Sequence, residues 1–191
     1  MIYRNVDARE LRLDSRELAA RLGTPFLGDS YELAGVYDEL VKAANPAYVA
    51  IRVKLNRENG GISIGKALSK SASLLKISEG ASSCFILVAS LGVGVDRLIL
   101  KKAGISPSEA FIIDAMSDAL VESLCDLAES QICEGLATRP RFSPGYGDLE
   151  LSLGKDLVAI TGADKMLGIR MSESGLMIPK KSVNALIVIK D

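Results

Sequence analysis

"SPSEAFIIDAMSDALVESLCDLAESQICEG", Ser106 to Gly135, is the longest helical pattern in the chain. Ser106 offers an N-cap hydroxyl, Pro107 a preset first turn and Gly135 a stop. Ile113, Met116, Leu120, Leu124 and Leu127 recur at helical spacing and predict the core-facing stripe of a central helix. On another face Asp114, Asp118, Glu122 and Asp126 fall at successive i,i+4 positions, so four carboxylates stack along one line. Like charges at that spacing oppose the helix by about 0.2–0.5 kcal/mol each, and only Asp114 lies near enough to the N-terminus to gain from the dipole. Two readings of the line stay open: a plain solvated face, or a surface that receives something cationic.

Working outward, the flanking patterns alternate between helix and strand. Asp14 with Glu17 reads as a capping box and Gly23 as the stop of a short helix. Leu33, Val36, Leu40 and Val41 mark a second helix, ended by Asn45 and Pro46. In "AYVAIRVKL" (47–55) Val49, Ile51, Val53 and Leu55 alternate with Ala50, Arg52 and Lys54, which predicts a half-buried strand. Asn59 and Gly60 predict a hairpin turn with a returning strand, and a short helix follows near Ser69 to Lys76. "SSCFILVASLG" (82–92) reads as a fully buried strand leading into a helix. Gly92 and Gly94 there give only G-x-G, and Arg97 stands where a dinucleotide fingerprint needs its third glycine, so a tight strand-to-helix turn is expected. Downstream come a helix over "LGKDLVAITG" (153–162) and strands at both ends of the closing segment. "VNALIVI" (183–189), apolar on both faces, is expected in the middle of a sheet. This mixed order argues for an α+β fold, a mixed or antiparallel sheet with a long central helix, in one domain over 1–191.

Composition narrows the function. The chain has 23 basic and 24 acidic residues, for a net charge of −1, and so lacks the electrostatic footprint of a nucleic-acid partner. "CFILVASLGVGV" is the longest apolar stretch and is too short and glycine-rich to span a bilayer; with charges in its first residues, the chain is expected in the cytoplasm. Cys84, Cys125 and Cys133 show no C-x-x-C spacing and are expected as buried thiols. There is no histidine, which removes the usual general base and the commonest metal ligand; no metal site is expected.

"RPRFSPGYGD", Arg139 to Asp148, follows the central helix. Pro144 and Gly145 are the preferred central pair of a type II turn, and Pro140 and Pro144 hold the preceding residues extended, so the loop has few conformations to lose. Arginine offers a planar fork for a carboxylate and a tyrosine face attracts cations, so Arg141 and Tyr146 together suit a zwitterion. Equally open is a structural role, with Arg141 paired to an acid of the preceding helix and Tyr146 packed.

The words "RFSPGYGDLELSL" and "LGIRMSESGLMIPKKSV" resemble the activation domain of cobalamin-dependent methionine synthase, in which an R-P-x-P-G-Y loop precedes an L-T-E-S…M-x-P…S-V segment. The resemblance is firm over residues 112–189 and weaker over 1–110, and Ile178 stands where the family has tryptophan. It implies an activation-domain fold in compact, free-standing form. It further implies binding of S-adenosylmethionine and reductive reactivation of cobalamin carried by a methionine synthase or other corrinoid protein, with an electron donor such as flavodoxin or ferredoxin. No covalent catalyst is implied in the chain itself. Arg141, Ser143 and Tyr146 match the family's ligand-binding loop and Glu122 an acid of its central helix; Asp118 could assist one turn earlier. Pro179 and Ser182 match the later motif, where ligand contact and an exposed connecting loop are both open readings. Lys180 and Lys181 could meet a corrinoid rim or simply solubilise that loop. Two other functions remain: a corrinoid-docking module without S-adenosylmethionine, and an unrelated enzyme using the acidic line for acid/base work.

Overall fold

A computed structural model describes residues 1–23 and 31–191. In chain order the elements are β1 (Ile2–Asn5), α1 (Ser15–Leu22), α2 (Tyr31–Ala43), β2 (Ala47–Glu58), β3 (Gly61–Ile64), β4 (Ala67–Ser69), α3 (Ala72–Ile77), β5 (Ser83–Ser90), α4 (Val93–Ala103) and α5 (Pro107–Ile132). After the loop come α6 (Leu153–Thr161), α7 (Ala163–Met166), β6 (Arg170–Met171), β7 (Met177–Ile178) and β8 (Ser182–Val188). The main sheet runs β4-β3-β2-β5-β8, with β1 also on β2, and every pairing is antiparallel. The fold is α+β with a long central helix, and the antiparallel pairing of β5 excludes a parallel dinucleotide-binding unit.

Local chemistry sets the elements. The Ser106 hydroxyl accepts from the Glu109 amide and Pro107 opens α5, as its sequence predicts. Asn59 and Gly60 both take positive φ (50° and 72°), the requirement of the two-residue turn that joins β2 to β3. At the start of α1, the Asp14 carboxylate accepts from the Arg16 amide at 2.7 Å, while the Glu17 side chain lies outside the described residues.

The sheet is covered on both faces. One face carries Tyr48, Ala50, Phe85, Leu87, Ala89 and Ile187 under α5, which buries Ile113, Met116, Leu120 and Leu124 against them. The opposite face carries Leu55, Ile64, Ile86, Leu186 and Val188 under Leu153 and Leu157 of α6. β2 is therefore half-buried only from Ile51 onward; its first four residues are buried on both sides, because α5 covers the face where Ala50 would otherwise meet solvent. Tyr48 is accommodated there by donating its phenol proton to Gln131 of α5 at 2.6 Å. All three cysteines are buried, and burial pushes the thiols of Cys84 and Cys125 up to about 12 and Cys133 to about 11. No helix among the described residues is long and apolar enough to cross a membrane.

The glycine pair after β5 is a packing device. A Cβ on Gly94 would collide with the carbonyl oxygen of Ala43 at the end of α2, whereas one on Gly104 would make only an ordinary 3.7 Å contact. Gly94→Ala is expected to destabilise the protein by about 1–3 kcal/mol, the range for overpacking, and Gly104→Ala to leave it nearly unchanged. Urea unfolding midpoints of the two variants check this, and equal midpoints would refute the contact.

Candidate functional site

β8 is the last strand of the sheet rather than a middle one. It reads as central because both its faces are buried and its outer edge is covered by an irregular segment that no strand pattern reveals. Arg139 N–H donates to Val188 O at 2.9 Å, and Phe142 and Leu186 exchange both backbone bonds at 2.9 Å each. Beyond Phe142 the chain leaves that edge. Tyr146 N–H donates to Ser143 O at 3.1 Å and Gly145 takes φ 92°, so the type II turn forms where Pro144 and Gly145 predict it. The turn's far side is tied down by Asp148, which accepts from the Ser71 hydroxyl at 2.6 Å, the Ala72 amide at 2.6 Å and the Ser73 amide at 3.0 Å. Those donors, the Ser71 hydroxyl foremost, hold the Asp148 carboxyl well below the usual carboxylate range.

The acidic line on α5 meets two cations of its own chain. Arg141 Nη2 reaches Glu122 at 3.0 Å, and its Nη1 reaches Asp126 at 2.7 Å and Glu129 at 2.9 Å. One helical turn away, Lys181 Nζ reaches Asp114 at 2.8 Å and Asp118 at 2.7 Å. Arg141 thus pairs with acids of the preceding helix, whereas Tyr146 is exposed rather than packed, and the line receives cations of its own chain. Burial works against the Arg141 charge, but its hydrogen bond to Asp126 and the surrounding carboxylates outweigh burial and keep the guanidinium protonated. Lys181 is no solubilising residue: it is buried, with its ammonium on α5. Every carboxylate of the line is engaged by a cation of the chain.

Between α5, the turn and the start of β8 lies a cleft of about 560 Å³, within the range of sites that enclose small molecules. Glu122, Ser143, Tyr146 and Ser182 line it, together with Leu151, Leu176 and Met177. A neighbouring hollow of about 410 Å³ shares Glu122, Ser143 and Tyr146 and adds Asp126, Glu129 and Arg141. Two expected residues fall outside both. Asp118 is occupied by Lys181 and by Arg21 at 3.4 Å, and Pro179 is buried rather than part of an exposed loop, while Lys180 beside it reaches the cleft. Asn184, also on the cleft wall, was not expected; the one polar residue in "VNALIVI" was its signal.

The wall facing the turn is anionic, since Glu122, Asp126 and Glu129 stand against one guanidinium. Tyr146, 66% exposed, presents its ring beside them. Such a wall can receive a cationic group, and Arg141 keeps N–H donors beyond those its three acids use. Among the described residues no group of His, Cys, Asp and Glu is arranged to hold a metal ion.

No family model matches this chain, and no curated protein matches it in sequence. The crystal structure of the MetH reactivation domain bound to AdoHcy matches it with a TM-score of 0.73 and 16% identity, over 99% of this chain and 78% of the other. At that identity the likeness is one of fold.

The anchor of the turn gives a pH signature. Because the Asp148 pKa is depressed in the folded state, its contribution is complete above the unfolded value of about 3.9 and is lost as pH falls through and below it. Asp148→Asn is expected to lower the urea midpoint at pH 7 and to flatten its decline between pH 5 and pH 3. A decline as steep as that of the unaltered protein would contradict this role.

Proposed function

We propose that the chain is an activation module that binds S-adenosylmethionine in the cleft and supports reductive methylation of cobalamin on a methionine synthase or related corrinoid methyltransferase. The observation carrying this reading is the cleft itself: about 560 Å³ between Glu122 and a prestiffened Ser143–Tyr146 turn, in a chain with the fold of a reactivation domain. The ligand carries a sulfonium, an ammonium and a carboxylate. The first two suit the acidic wall and the Tyr146 ring, and the carboxylate suits the remaining Arg141 donors and the Ser143 backbone. S-adenosylmethionine supplies the methyl group, and a separate donor such as flavodoxin or ferredoxin supplies the electron. This chain's residues bind and orient the methyl donor, and the partner protein holds the corrin.

A second reading, a corrinoid-docking module without S-adenosylmethionine, is favoured by one observation: Arg141 already meets three carboxylates of its own chain.

Titration calorimetry separates the two. The first reading predicts heat on adding S-adenosylmethionine and about tenfold weaker binding in Tyr146→Ala and Glu122→Gln, the loss of roughly one charge-assisted contact. Tyr146 is exposed, so its variant should keep the parental melting temperature. Absence of heat at millimolar ligand favours the docking module.

A further inference from the structure

Asn184 is 6% exposed and lines the cleft. The direction of its backbone follows from its neighbours. β8 meets β5 through alternate residues: Leu91 N–H donates to Lys181 O at 2.9 Å, whereas Leu186 turns both backbone groups the other way, to Phe142. The two-residue alternation of an antiparallel strand then points the N–H and C=O of Asn184 outward too. At its level the covering segment has already departed, because the turn after Phe142 makes its backbone bonds within itself and to Leu149. These two main-chain groups therefore have no partner among the described residues.

The side chain adds a third group. Asn184 Nδ2 faces the carbonyl of Gly154 at 3.4 Å, and since only the NH2 end of a carboxamide can face a carbonyl, Oδ1 is the free end. The sealed, partnerless side-chain atoms among the described residues are Asp96 Oδ1 and Arg139 Nε, so Asn184 Oδ1 keeps surface open to the cleft it lines. One residue thus presents a donor and two acceptors, beside the apolar side chains of Leu151, Leu176 and Met177. Unpaired within the chain and open to the cleft, these groups are available to a ligand.

The geometry points to Asn184 as the residue that reads the base of the ligand. An aminopurine edge is complementary: the exocyclic amine donates to the backbone C=O and Oδ1, and the adjacent ring nitrogen accepts from the backbone N–H. The flat ring lies between the apolar side chains, which directs the charged tail to Glu122 and the acids around Arg141. This assignment rests on the functional reading above and deepens it, because it fixes which end of the ligand faces which wall.

The test compares S-adenosylmethionine with its deaminated inosine analogue, which keeps every charge but reverses the donor and acceptor on that edge. The unaltered chain should bind the adenine form at least about tenfold more tightly, the effect of leaving buried groups mispaired. Asn184→Leu, close in volume, should weaken the adenine form by about tenfold and narrow the ratio. A readout without substitution is the ¹H–¹⁵N resonance of the Asn184 amide, expected to move downfield with the adenine ligand and not with the analogue. Equal affinity for both ligands, or an amide that stays put while other cleft resonances shift, would overturn this assignment alone. Binding of neither ligand would overturn the functional reading and this assignment together.

Discussion

Two cations from the later part of the chain, Arg141 and Lys181, are set against the carboxylates of α5, and the site depends on that match. Without them, successive i,i+4 acids repel along the helix. With them, the repulsion becomes the means by which two distant segments are docked: Arg141 fixes the start of the turn at Glu122, and Lys181 fixes the residue before β8 at Asp114 and Asp118. The cleft lies between these two fastenings. The same interaction charges it, because three acids around one guanidinium leave one wall anionic.

The sheet edge supplies the opposite wall. An edge strand with bare backbone groups invites pairing with another chain, and proteins commonly cover such edges. Here the cover is partial. The segment from Arg139 to Phe142 pairs with the C-terminal half of β8 and then turns away, leaving the edge near Asn184 facing the cleft rather than solvent at large. The stiffness of the Pro144-Gly145 turn decides where the cover ends, so one short loop both protects the sheet and opens the site.

What was legible in the sequence was what local chemistry decides. Ser106, Pro107 and the apolar stripe located α5; Asn59-Gly60 located the hairpin; Pro144-Gly145 gave the turn type, and Glu122 and Tyr146 reach one cleft. What escaped was set by contacts between remote segments. The pattern of β8 predicts a central strand because a strand buried on both faces looks the same whether its outer neighbour is a strand or a loop. Asp118 and Pro179 were expected at the site, yet the first is taken by Lys181 and the second is buried. Nothing local distinguishes buried Lys181 from exposed Lys180, since the carboxylates that hold it lie more than sixty residues earlier in the chain. The MetH reactivation domain shares this fold at 16% identity, a likeness of architecture rather than of local residues.

The most direct measurement is a crystal structure of the chain grown with S-adenosylmethionine. Density is expected between Glu122 and Asn184, with the base against the free edge of β8 and the amino-acid tail toward Arg141. Density elsewhere on the protein, or a ligand reversed so that its charged end meets Leu151 and Leu176, would contradict this placement.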